Sequence, residues 1–392
     1  MHYFIDFIQL KYYTVTIMKT NFTILQNFIQ KAPVKQLVAF ANNPCDETYF
    51  LLSSAVFNSG WQNNFIENLK DALIKDVNAF SVSASKGKSD KYLENAFDLD
   101  SQTLFSIAGT LPSDLFCVGK GKVPTSKTLK RFYATHGYGV FIENKAFYYK
   151  DGEILPVKNV SPIQISDLKD YVSEKKAISD NIENFLSSLP HANMLLYGDR
   201  GTGKSSTIHA FLNKYAPCGL RLVELQKENI TELSALKKSL EDIPLKFIIY
   251  IDDLSLNDTD GKFTALKAAL EGSFSGFSNN TLVCATSNRR HIVKESFSDR
   301  NDSVHAGDSM QEQLSLSDRF SLTVLFSSTS KPEYISIFKQ LALDYGLETE
   351  IDSLIALAER WAINKGGRSP RRAKQFVEFA YSCEKRNVPI EF

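Results

Sequence analysis

Tyr197-Gly198-Asp199-Arg200-Gly201-Thr202-Gly203-Lys204-Ser205-Ser206 is the stretch that decides the fold. From Gly198 to Ser205 it satisfies G-x-x-x-x-G-K-[ST], directly after an apolar run at 194–197 and before an amphipathic run at 206–212. A strand, a glycine-rich turn and a helix in that order aim successive backbone N–H groups at a phosphate chain. Lys204 then reaches the outer phosphates, and the Ser205 hydroxyl ligates magnesium. Gly198, Asp199, Arg200, Gly201, Thr202, Gly203, Lys204, Ser205 and Ser206 are therefore expected to cradle the phosphates of a nucleotide.

Outward from this loop, apolar runs at 221–225, 247–251, 282–286 and 322–326 alternate with amphipathic helices. That alternation predicts an α/β domain with a parallel sheet covered on both faces. The run at 247–251 ends in Asp252-Asp253, 48 residues after Lys204. A nucleotide site needs an acid for the metal and a group to orient the attacking water, and Asp252 and Asp253 are assigned to these in turn. The next run ends in Thr286-Ser287-Asn288. Asn288 is the expected polar sensor of the γ-phosphate, with Thr286 the lesser candidate. Arg319, just before the last strand, is expected to reach the nucleotide of a neighbouring copy in a homo-oligomer, with Arg289, Arg290 and Arg300 competing for that role. Beyond 330 the pattern is helical only. Arg371 falls in the first turn of a helix capped by Ser369 with Pro370 at its first position, where a guanidinium and the helix N-terminus can meet the same phosphates. Arg368 and Arg372 are its adjacent fallbacks.

A chain of 392 residues is too long for one ordinary core. The expected division is an N-terminal α+β domain at 1–160, a nucleotide-binding core at 165–329 and a helical lid at 330–392. Lys and Arg number 45 against 45 Asp and Glu, and 43% of residues are hydrophobic, which excludes wholesale disorder and a chain basic all over. The N-terminal part reads as mostly helical: Trp61, Phe65, Ile66, Leu69, Leu73 and Val77 recur at spacings of three and four, as on one face of a helix. Lys120, Lys122, Lys127, Lys130 and Arg131 follow, five cations without an intervening acid, read first as a solvated loop and second as a nucleic-acid contact. The β-prone runs at 138–142 and 146–149 then suggest a closing hairpin. Five dispersed cysteines without metal-ligand spacing point to a reducing, cytoplasmic setting, and no run is long and apolar enough for a membrane span. Met18 resembles a more ordinary start than Met1, so residues 1–17 are read as a possible over-extension.

The ordered set of phosphate loop, Asp252-Asp253, Thr286-Ser287-Asn288, Ser317-Asp318-Arg319-Phe320 and Gly367 to Arg371 resembles the AAA+ ATPases from about Leu168 to the carboxyl end. More narrowly, Tyr197 to Ser206, Ala285 to His291, Leu314 to Phe320 and Gly366-Gly367-Arg368-Ser369 look like the bacterial ATPase family catalogued as domain of unknown function 815. The resemblance implies strand order 5-1-4-3-2, a helical lid, Asp252 on magnesium, Asn288 as first sensor, Arg319 as a finger acting in trans and a lid arginine as second sensor. It also implies that 168–171 lines the adenine pocket. One departure stands out, since most AAA+ members place Glu where this chain has Asp253, and a shorter acid implies slow water activation. The segment 295–313 looks inserted. The implied activity is ATP hydrolysis that drives work on an unknown protein or nucleic acid. The alternatives are a DNA loader using the basic loop, or a slow nucleotide switch that binds protein partners.

Overall fold

A computed structural model of the chain describes residues 21–88, 90–111, 117–254, 256–257, 261–271, 280–288, 293–294 and 319–391. Residues 1–143 with 242–244 form one compact unit, and 144–241 with 245–392 form the other.

The first unit is helical. Helices Val34–Asn42, Asp46–Ser59, Phe65–Ile74, Lys91–Gly109 and Ser126–His136 enclose a core that includes Leu37, Leu52, Phe65, Leu69, Phe97 and Tyr133. The buried Asp100 carboxylate accepts hydrogen bonds from the Thr23, Ile24 and Leu25 N–H groups, tying the incoming chain to Lys91–Gly109. Lys120, Lys122, Lys127 and Arg131 are exposed, while Lys130 pairs with Glu94 at 2.9 Å. The expected apolar stripe does not lie on one helix. Asn64 interrupts it by capping Phe65–Ile74 with its side chain, Trp61 belongs to a short 3-10 turn before the cap, and Val77 lies beyond the helix, half exposed.

The second unit is built on a sheet. Its strands are β1 (Ala146–Lys150), β2 (Glu153–Pro156), β3 (Met194–Gly198), β4 (Leu220–Leu225), β5 (Lys246–Ile251), β7 (Thr281–Ser287) and β9 (Leu322–Phe326), and the two-residue strands β6 (Leu256–Asn257) and β8 (Val293–Lys294) pair separately. The order is β2-β1-β4-β5-β7-β3-β9, and every pairing except β1–β2 is parallel. Counted from the phosphate-loop strand, the five strands from β9 to β4 run 5-1-4-3-2, the order of AAA+ P-loop proteins. All five coincide within a residue or so with the apolar runs. The inner ones read plainly because both of their faces are buried, as in β7, where every residue is buried, whereas the edge strand β9 exposes Thr323 and Leu325.

The hairpin differs from expectation. Residues 138–142 form no strand: Gly137 and Gly139 adopt positive φ, and Val140–Glu143 is a helical turn. The hairpin pairs β1 with β2 across Asp151-Gly152, and β1 continues the sheet by parallel pairing with β4. It extends the nucleotide-binding sheet and does not close the N-terminal unit.

Helices Lys331–Tyr345, Ile351–Asn364 and Pro370–Lys385 pack around Tyr334, Phe338, Ala358 and Phe376. Their boundaries follow from local chemistry. Ser330 and Glu333 form a capping box, Gly346 closes the first helix at φ 65°, and Ser369 caps the third ahead of Pro370.

Candidate nucleotide site

The phosphate loop leaves β3 at its carboxyl end and enters the helix Lys204–Tyr215. Two of its glycines are required, Gly198 by space and Gly201 by its left-handed backbone in tight surroundings. Gly198 sits at φ 133°, and a Cβ there would lie 2.0 Å from the Phe326 carbonyl oxygen of β9. Gly201, at φ 82°, would press a Cβ to 3.0 Å from Ser369 Oγ and 3.3 Å from Arg371 Cβ. The amino end of Pro370–Lys385 thus rests on the loop, where the Arg371 N–H donates to the Gly201 carbonyl at 3.2 Å.

Lys204 is 7% exposed. Its ammonium donates to the Gly198 and Asp199 carbonyls, each at 2.8 Å, and to Asn288 Oδ1 at 3.4 Å. Burial pulls its pKa below the usual lysine value, opposed by the charges of Asp199, Asp252 and Asp253. An anion in the loop would favour the charged form further.

The two acids sit just past β5 and are held differently. Asp252 Oδ1 accepts three hydroxyl hydrogen bonds, from Thr286 at 2.5 Å, Tyr250 at 2.7 Å and Ser205 at 3.0 Å. Burial works against its ionisation, but these three donors outweigh burial and hold its pKa below the usual carboxylate value. Asp253 adopts a left-handed backbone at φ 47°. Its N–H donates to Thr286 Oγ1 at 3.0 Å, and its carboxylate accepts from Asn288 Nδ2 at 2.7 Å. Thr286 therefore clamps both acids, and Asn288 joins Lys204 to Asp253.

One cleft of ≈ 1150 Å³ gathers these groups. Arg200 to Ser206, Asp252, Asp253, Thr286, Asn288 and Arg371 all line it. So do Leu168, Tyr171 and, from the helix Lys331–Tyr345, Ile337, Leu341 and Tyr345, apolar and aromatic groups of the kind a purine needs, beside charged neighbours such as Lys169, Asp170 and Asp344. Of the three lid arginines considered as sensor, only Arg371 is on this wall: Arg368 pairs with Glu359, and Arg372 donates to Gln375 at 2.7 Å. Arg319 is exposed in the turn before β9, away from the residues that line the cleft. Arg289, Arg290, Arg300, Ser317, Asp318 and the segment 295–313 lie outside the described residues.

Among the described residues no group of three or more His, Cys, Asp or Glu could hold a metal ion. A divalent ion at this site would rest on the Ser205 hydroxyl, the Asp252 carboxylate and the phosphates of its ligand, a hard oxygen set that suits Mg2+ better than an all-protein cage would. Tyr250 was not anticipated as a site residue. Its proximity follows from its place near the carboxyl end of β5, two residues before Asp252.

Residues 142–383, more than half of the chain, match the family described as Protein of unknown function (DUF815). The chain belongs to this family. The DUF815 region contains the whole sheet and the phosphate loop, together with most of the C-terminal helices. A stretch of 128 residues is 30% identical to replication factor C subunit 3 of Schizosaccharomyces pombe, covering 31% of this chain and 37% of that protein. The chain thus spans little more than a third of the length of that curated relative. Among solved structures, a Thermotoga maritima RuvB Holliday junction branch migration motor is similar at TM-score 0.40 and 17% identity, over 58% of this chain and 68% of that one. A RuvB mutant from the same organism has TM-score 0.41 and 15% identity over 58% and 67%. Among the described residues no helix is long and apolar enough to cross a membrane, and all five cysteines are free.

Proposed function

We propose that the chain is a Mg2+-dependent ATPase that works as a homo-oligomer in the cytoplasm and uses nucleotide turnover to act on a protein or nucleic-acid substrate. The observation that carries this reading is the convergence of the phosphate loop, two strand-end acids, an amide and a lid arginine on one cleft with apolar and aromatic groups in its lining. In this reading Gly198 to Ser206 cradle the phosphates, with Lys204 exchanging its loop carbonyls for phosphate oxygens. Ser205 and Asp252 hold the metal. An Mg2+ held by these two residues would supply positive charge against the phosphate oxygens. Asp253 orients the attacking water, held at its post by Asn288, which senses the terminal phosphate. Arg371 meets the phosphates from the lid, so that the core at 165–329 and the lid at 330–392 close on the nucleotide. Arg319 serves the nucleotide of a neighbouring copy, and the domain at 1–160, apart from the strands it lends to the sheet, selects the substrate.

Lys204→Ala tests the assignment. The variant is expected to lose binding of a fluorescent ATP analogue by two orders of magnitude or more while keeping its fold, followed by circular dichroism. Unchanged affinity in a folded variant would refute the site.

A further inference from the structure

Among the described residues, Tyr250 is the one buried ionisable side chain that touches the acid pair and has no part in the scheme above. Its ring sits on the face of β5 covered by Lys204–Tyr215, packed with Ile208 and Phe211 and edge-on to His209 at 6.1 Å between centroids. Only its hydroxyl emerges at the strand end, and that hydroxyl donates to Asp252 Oδ1 at 2.7 Å. Asp252 has left the strand and has no ladder to hold it, so its side chain is oriented by whatever donors reach it. Three hydroxyls do, all on the same oxygen. Ser205 is the most distant of the three, and it is the one required elsewhere once a cation is present. Tyr250 and Thr286 remain.

We infer that Tyr250 is a positioning residue for the metal site: its hydroxyl, with that of Thr286, pins one oxygen of Asp252 so that the other keeps a fixed bearing toward a divalent cation. This rests on the nucleotide reading above and adds to it a residue outside the phosphate-loop and strand-end motifs. The physical reason is that a carboxylate acting on a cation through water loses affinity when it can swivel, and a hydrogen bond to its far oxygen removes that freedom. Partners of this kind are worth about 10- to 100-fold in metal affinity. A tyrosine suits the task because its ring is fixed by packing along its whole length, so the hydroxyl is placed by the core and not by a flexible surface chain.

The test uses the full chain and Tyr250→Phe, which keeps the ring and deletes one O–H. Binding of a fluorescent ATP analogue is measured first in EDTA and then across a MgCl2 titration. The expected result is unchanged metal-free affinity with the midpoint of the Mg2+ response raised about tenfold or more. An unchanged midpoint overturns the inference. Equal loss of metal-free binding overturns it too, because the phenol would then serve the packing of the site as a whole. Should the unmodified chain bind no nucleotide, the ATP reading itself fails, and this inference with it. A normal unmodified chain beside an unaltered Tyr250→Phe response defeats this inference alone.

Discussion

Asp253 carries a backbone conformation that few side chains accept. At φ 47° it lies in the left-handed region, where Asp and Asn are several-fold enriched among non-glycine residues because their short polar groups can bond locally. Here the local bonds are visible: its N–H reaches Thr286, and its carboxylate reaches Asn288. The departure from the more usual Glu thus has a conformational reason that the linear motif does not display. Asp253→Asn is expected to keep fold and ATP binding while losing hydrolysis, since an amide tolerates the same backbone but cannot orient water as a carboxylate does. Asp253→Glu is expected to lower stability by about 1 kcal/mol, with no gain in turnover. Thermal unfolding beside single-turnover kinetics checks both, and a Glu variant that is both as stable and faster contradicts the account. Residues in the motif itself were legible from spacing alone. Tyr250 was not, because it lies inside an apolar strand that its burial alone explains, and only the folded turn at Asp252 brings its hydroxyl onto the carboxylate.

At the scale of elements, the legible features were those whose neighbours are dictated locally. The four inner strands β3, β4, β5 and β7 read as apolar runs because they are largely buried on both faces, while β9, at the edge, exposes Thr323 and Leu325, and the last C-terminal helix announced its start through Ser369 and Pro370. The edge of the sheet was harder. The run at 138–142 has the composition of a strand, yet paired glycines break it, and nothing in β1 alone says that its partner is β4, more than 70 residues away. Phe147 lies opposite Val223 and is fully buried, so Phe147→Ala should cost about 3–5 kcal/mol, felt in the nucleotide-binding unit. Amide hydrogen exchange locates the loss: faster exchange in β4 and β5 is expected, and a change confined to residues 21–143 would contradict the pairing.

For the molecule as a whole, the balance of 45 cations against 45 anions hides a local concentration of charge. Lys204, Arg371, Asp252 and Asp253 share one cleft, while Arg319 stands apart from it. That separation fits a residue that serves another copy. Arg319→Ala is accordingly expected to bind ATP as the unmodified chain does, but to lose the part of its turnover that rises with protein concentration, by about 10³-fold. Specific activity measured over a dilution series gives the answer. If turnover per chain is independent of concentration in the unmodified protein, Arg319 has no such role.

β9 accounts for that separation. It is five residues long, about 16 Å, and pairs in parallel with β3 along its whole length. Arg319 precedes its amino end, with Phe320 buried behind it, and at its far end the Phe326 carbonyl is in contact with the Gly198 backbone and bonded to the Asp199 N–H. Only the short turn 319–321 separates Arg319 from this strand, so the arginine and the first residues of the phosphate loop stand at opposite ends of one edge strand. The Cβ missing from Gly198 is what allows the Phe326 carbonyl to seat against the loop.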